Sequence, residues 1–244
     1  MGNHSAAKEY CAEALRAWED LGEPASAARI LSNLADISKA EGDYAGARSL
    51  HEQAFARFQV LGDSSGMAWS LNHQGDVARA QADVPAARRV YEQGLTIFRD
   101  RNDGPGIASS LHDLGRLASE EGDHVHAQTL FAESLRISRQ LGRKQDIAGL
   151  LEEMARSATR QGNWERALQL AGSATALRQR IGVLLAPVEK VKLDADLEPA
   201  RRGLPEAAAT TAWMRGWAQS PDEAIEYGLA GTQGSSGSFG RRGI

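Results

Sequence analysis

One cysteine, Cys11, stands in 244 residues, so an internal disulfide is excluded and a reducing compartment fits the chain. Aromatic residues make up only 6 %, which argues against sheet, whose pleated surfaces favour aromatic and β-branched side chains. No apolar run approaches the ~20 residues that a membrane span needs. The opening "MGNHSA" lacks the apolar stretch of a secretory signal, and Ala6 stands where a myristoylation signal requires Ser or Thr. Neither sign of charge dominates. With 28 Lys and Arg against 32 Asp and Glu, the net charge of -4 gives no electrostatic reason to expect nucleic acid. Alanine, leucine, arginine, glutamate and glutamine abound, and all of them are helix formers. A soluble, cytoplasmic, helical chain is the expectation.

Repetition takes the place of these missing features. "LGDSSGMAWSLNHQGDVARAQAD", residues 61 to 83, is echoed forty residues later by "RNDGPGIASSLHDLGRLASEEGD" and forty earlier by "LGEPASAARILSNLADISKAEGD". Aligned at that period, one column reads Ala7, Ala47, Ala87, Ala127, Ala167, and another Leu31, Leu71, Leu111, Leu151. A third holds Gly22, Gly62, Gly142 and Gly182, interrupted by Asn102, and a fourth Asp43, Asp83, Asp123 and Asn163. Gapless periods of this length mean stacked supersecondary units.

Each period has room for two helices. In residues 44 to 60 the apolar positions Ala47, Leu50, Ala54, Phe55 and Phe58 recur at three- and four-residue spacing. Asp43 precedes that stretch as an N-cap, and Gly62 follows it where a left-handed residue is wanted. The next helix, roughly 64 to 81, has Asp63 as its cap and carries Ala68, Leu71, Gly75 and Ala78 on one face. Pro24 occupies a first-turn position that tolerates a missing N–H. Ala or Gly at 35, 75, 115 and 155, with Ala at 47, 87, 127 and 167, lets paired helices approach closely. Tyr91, Phe131, Leu95 and Leu135 fill the space beside them. A lone pair cannot cover its own apolar face, so stability must come from stacking.

These residues resemble the tetratricopeptide repeat. Leu111, Leu114, Gly115, Ala118, Ala127, Phe131, Ser134 and Leu135 match its signature positions. Leu71, Gly75, Ala78, Ala87, Tyr91, Gly94 and Leu95 do so one copy earlier, with Gln74 departing from the pattern and the usual closing proline absent. The resemblance implies an all-α solenoid of helical hairpins, wound as a right-handed superhelix, over residues 4–183. Its expected parts are a half unit at 4–21 and complete units at 24–61, 64–101, 104–141 and 144–181. Tyr10, Ala14 and Leu15 then form an uncovered apolar stripe at the N-terminal edge. That stripe suggests self-association, or that the chain is the C-terminal part of a larger protein.

After residue 183 the period fades. "APVEKVKLDADLEPARRGL" is expected as a helix bent or ended near Pro199, and "PEAAATTAWMRGWAQ" and "PDEAIEYGLA" as two more. "AWMRGWAQSPDEAIEYGLA" resembles the segment that closes the repeat arrays of large bacterial LuxR-type regulators and related signalling ATPases. Residues 184–230 are therefore expected to cap the array, and the Gly- and Ser-rich residues 231–244 to be a disordered tail.

Catalytic patterns are poor. "HEQAF" at His51 begins like a zinc-protease helix but has Phe55 where the second histidine belongs, so that helix holds no metal pair. His124 and His126 diverge at a helix start, a "GxxxxGK[ST]" phosphate loop is missing, and "GSSGSFG" lacks the G-x-S-x-G spacing. No enzyme activity, cofactor or metal is expected. In tetratricopeptide arrays the first helix of each unit lines a concave groove. That face offers Trp69, Asn72, Asp76 and Arg79 in one unit, then His112 and Arg116, then Glu152 and Arg156. Trp69 is the expected anchor, because an indole on a polar face leaves apolar area in water and Trp and Arg dominate interface energetics. A protein or peptide is the expected ligand. A small-metabolite effector in the same groove is the alternative, membrane attachment is not expected, and direct nucleic-acid binding is disfavoured.

Overall fold

The computed structural model describes residues 4–230, and the expected tail at 231–244 lies outside the described residues. Those residues form twelve helices and, among them, no strand. In order these are α1 (His4–Asp20), α2 (Pro24–Ala40), α3 (Tyr44–Leu61), α4 (Ser64–Ala80), α5 (Val84–Asp100) and α6 (Gly104–Glu120). They continue as α7 (His124–Gln140), α8 (Lys144–Arg160), α9 (Trp164–Ile181), α10 (Pro187–Gly203), α11 (Glu206–Ala218) and α12 (Pro221–Ala230). The helices α2 to α9 each hold 17 or 18 residues, and α2 pairs with α3, α4 with α5 and α8 with α9. None of the described helices is long and apolar enough to cross a membrane.

The helix ends follow a half-period of twenty residues. Asp43, Asp63, Asp83, Asp103 and Asp123 each accept a hydrogen bond from the backbone N–H three residues on, at 2.9–3.1 Å. Each such bond satisfies a donor that the first turn leaves orphaned. Asn163 shares the column but its side chain makes no such bond. A left-handed residue closes each turn at the same interval, as at Gly62 (φ 68°). Ala82 and Asn102 hold that conformation without being glycine (φ 58° and 54°), which Asn tolerates better than Ala.

The chain divides into two compact units within α6, after Ser110. In the first unit α2 packs on α3, α3 on α4 and α4 on α5. Its interior is built around small residues: Ala35 and Ala47 close on Val77, while Ala28, Leu31, Ala54 and Phe58 form a second cluster. Gly75 is required where it stands, since a Cβ there would lie 2.4 Å from the ring of the fully buried Tyr91. The expected N-terminal stripe is narrower than the sequence suggests. Leu15 packs against the Ala28–Phe58 cluster, whereas Tyr10 stays 72 % exposed.

In the second unit α8 packs on α7 and α9, and the last three helices close over them. α10 lies against α8 and α9, α11 against α9, and α12 against α7, α8 and α9. α10 settles half of one expectation, because it does not end at Pro199 but continues to Gly203. The carbonyl deprived of a partner there belongs to Ala195, which is exposed, so water can meet it. Buried Leu193, Leu197 and Ala200 hold the helix down on either side.

The assignment of faces makes a direct prediction. Ala87 is fully buried at a helix crossing, and Ala80 is exposed at the end of α4. Ala87→Leu is expected to destabilise the chain by ~1–3 kcal/mol through overpacking. Ala80→Leu should stay within ~0.5 kcal/mol of wild type. Equal shifts in thermal melts would show the faces to be misassigned.

Candidate functional site

The side chains expected on the groove face fall into three environments. In the first unit Trp69 is half-buried, with its indole edge-on to Phe98 at 5.1 Å and tilted towards His73 at 6.4 Å. It lines a hollow of about 590 Å³ together with Arg29, Ser32, Phe58, Ser65 and His73. Asn72, three residues on, does not face that hollow. It is buried and exchanges hydrogen bonds with the Ser110 hydroxyl, donating from Nδ2 at 2.9 Å and accepting at Oδ1 at 3.0 Å. Those bonds occupy the Asn72 amide within the unit. First helices of neighbouring repeats lie side by side, and a residue one step off the core face is enclosed between them.

Asp76 accepts a hydrogen bond from the Tyr91 hydroxyl at 2.8 Å and pairs with Lys39 at 3.5 Å. Burial alone pushes its carboxyl pKa up. Lys39, the Tyr91 hydroxyl, His73 and Arg79 outweigh burial and bring it below the ordinary value. Arg79 therefore acts on Asp76 inside the unit, and both are partly buried rather than fully wet.

A second cluster in this unit brings two histidines and a carboxylate together. His51, His73 and Asp36 converge from α3, α4 and α2. The His51 and His73 rings stack at 5.2 Å with 5° between their planes. His51 Nε2 and His73 Nδ1 each lie 3.8 Å from Asp36 Oδ1. His51 is fully buried, and neither ring nitrogen has a hydrogen-bond partner among the described residues. An unmet buried polar group of this kind costs ~1–3 kcal/mol. Burial, reinforced by His73 and opposed by Asp36, lowers the His51 pKa to about 4. The ring is neutral at pH 7. "HEQAF" offers no metal pair within its own helix, but the fold supplies a second histidine from the next one. A signal was present in the repeat columns: His51 occupies the position held by Tyr91 and Phe131 in the following copies.

In the second unit all four remaining candidates line one hollow of about 330 Å³: His112, Arg116, Glu152 and Arg156. Leu185, Glu189, Lys192 and Asp196 form its other wall, the last three from α10. Charge is balanced across it. Arg116, Arg156, Arg160, Arg178 and Lys192 face Glu120, Glu152, Glu153, Glu189 and Asp196. Arg156 bonds Glu153 and Asp196, both at 2.8 Å, and Arg116 pairs with Glu153 at 3.2 Å. Burial pushes the Glu153 pKa up, but Arg116, Arg156, His112 and Arg160 bring it below its usual value. Glu152 lines the hollow and is also part of the packing. It is only 5 % exposed and forms a forked pair with Arg178 at 2.5 and 3.0 Å, so it holds α8 to α9.

The tetratricopeptide repeat family model matches residues 26–100. Among curated proteins none matches the sequence significantly. The fold is similar to that of BtubC (BKLC) from P. vanneervenii, with a TM-score of 0.67 and 17 % identity, over 100 % of this chain and 97 % of that one. It is also similar to the nearly identical TPR-like repeats of a Podosopora anserina protein described as a putative kinesin light chain. There the TM-score is 0.57 and the identity 20 %, over 87 % of this chain and 99 % of the other. The chain thus carries tetratricopeptide-repeat sequence over residues 26–100 and an all-α fold of tetratricopeptide-like helical hairpins.

Proposed function

We propose that the chain is a non-catalytic module that binds a protein or peptide, and that it serves a bacterial signal-transduction or transcription regulator. Repeats of this kind generally mediate contacts between proteins. The observation that carries the reading here is the Trp69 hollow. A half-buried indole, steadied by Phe98, stands in a space of about 590 Å³ beside exposed Arg29 and half-exposed His73. Such an arrangement suits one apolar side chain of a partner, with polar groups around it. The hollow of the second unit adds His112, Arg116 and Arg156, whose fixed charge pairs suit a polar segment of mixed sign. The regulator setting rests on "AWMRGWAQSPDEAIEYGLA", which supplies the second half of α11 and the whole of α12. A small polar effector is the second reading, favoured by the α10 wall over the 330 Å³ hollow, a size within the range of ligand pockets.

Selection from a displayed peptide library against the full chain tests the proposal. Enriched peptides are expected, and Trp69→Ala should weaken them by at least ~2 kcal/mol, roughly thirtyfold, with a smaller effect on melting. Unchanged affinity with a lowered melting temperature would make Trp69 a packing residue and overturn the anchor. Enrichment no greater than on an unrelated helical protein would overturn the binding role.

A further inference from the structure

We infer that Asp36, His51 and His73 form a site for a divalent first-row transition metal, zinc foremost, tying three consecutive helices together. Each ligand comes from a different helix, α2, α3 and α4, and the three donor atoms lie within 4.8 Å of one another. Zinc–nitrogen bonds of about 2.0–2.1 Å put tetrahedral neighbours about 3.4 Å apart. The 3.8 Å separations from Asp36 Oδ1 therefore need to close by less than half an ångström. The parallel rings must also splay, because imidazole lone pairs lie in the ring plane. His73 has the freedom to turn, with a third of its side chain in solvent, and the Asp36 carboxylate opens an entry path at 42 % exposure.

The second observation is the state of His51 itself. It is fully buried, neither of its nitrogens is hydrogen-bonded among the described residues, and Nε2 is aimed at the carboxylate. One copy later the same place is satisfied without a metal, by a tyrosine hydroxyl donating to Asp76. Histidine in the tyrosine column gives up that bond and supplies an imidazole nitrogen, a borderline ligand. Two imidazoles and one carboxylate select zinc, nickel, cobalt or copper over magnesium or calcium, which prefer all-oxygen sites. Lys39 opposes the metal, since its ammonium lies 3.3 Å from Asp36 Oδ1 and 3.5 Å from Asp76 Oδ2. On metal binding it shifts wholly to Asp76.

The experiment is a zinc titration of the full chain, freed of any affinity tag and stripped with chelator, followed by calorimetry and melting. One equivalent should bind and raise the melting temperature. His73→Ala and Asp36→Asn should each weaken binding by more than ~10–100-fold, the range that loss of an outer-shell partner alone produces. His51→Phe restores the residue type of the column and should fold without binding zinc. Lys39→Met should tighten binding, which a purely structural cluster would not predict. Cobalt in place of zinc should give the visible absorption of a four-coordinate ion. No binding to the wild-type chain overturns the site, as does binding that survives in His73→Ala and Asp36→Asn. Binding lost only on replacing His124 and His126 would place the ion elsewhere and overturn it equally.

Discussion

Gly216→Ala should cost ~3 kcal/mol or more of unfolding free energy, at or beyond the upper end of ordinary overpacking. A Cβ at residue 216 would stand 1.9 Å from the Gln169 carbonyl oxygen, 2.8 Å from its carbon and 2.9 Å from the Ser173 nitrogen. All three are backbone atoms of α9, which cannot step aside as a side chain can. Gly172 makes the converse approach, its Cβ position lying 2.3 Å from the Trp213 carbonyl oxygen. α9 and α11 thus cross backbone to backbone, and one methyl group must force them apart. The control is Gly149→Ala, where the nearest atom is 4.0 Å away at the tip of Arg178. There alanine should stabilise by up to ~1 kcal/mol through helix propensity alone. Urea denaturation followed by circular dichroism separates the two. Similar midpoints for both variants would mean that α11 is not docked on α9. Hydrogen exchange should show the damage from Gly216→Ala concentrated in residues 206–218.

Much of this fold is legible in the sequence because its determinants are local. An aspartate that caps a helix and a glycine that ends one act within a few residues. A period without insertions repeats them where the eye can find them. The small residues at 47, 87, 127 and 167 are just as readable, since a helical step of about 100° assigns a face. What a face meets is harder. Asn72 and Trp69 share one side of α4, yet one is locked to Ser110 and the other lines a hollow. The difference lies in how first helices of successive repeats abut, and periodicity says nothing of that. The α10 wall over His112, Arg116 and Arg156 escapes for a similar reason. Residues 184–203 have left the repeat, so no column tells where they return. The His51 cluster is an intermediate case. Its ligands sit on three helices, which no single motif can reveal, but a histidine in a column of tyrosine and phenylalanine stands out in the repeat alignment.

Glu152→Ala should destabilise the second unit by ~3–5 kcal/mol, the cost of leaving a buried charge without its partner. Arg178 keeps only 12 % of its side chain in solvent and Glu152 only 6 %, so water cannot take over the lost contact. The pair is forked, with Nε and Nη2 each meeting one carboxylate oxygen, and such geometry resists replacement by a lysine. Arg178→Ala should therefore cost a similar amount, and Arg178→Lys should recover only part of it. Removing both charges together, as Glu152→Leu with Arg178→Met, should return most of the stability, because neither ion is then stranded. A double-mutant cycle in urea reads the coupling directly. Coupling below ~0.5 kcal/mol would show that solvent reaches the pair after all. The same variants discriminate structure from recognition at the hollow they border. Glu152→Leu with Arg178→Met should bind a selected peptide with nearly wild-type affinity per folded molecule, whereas Trp69→Ala should fold and fail to bind. If the two results were exchanged, the charged hollow of the second unit would be the recognition site and the indole merely part of the packing.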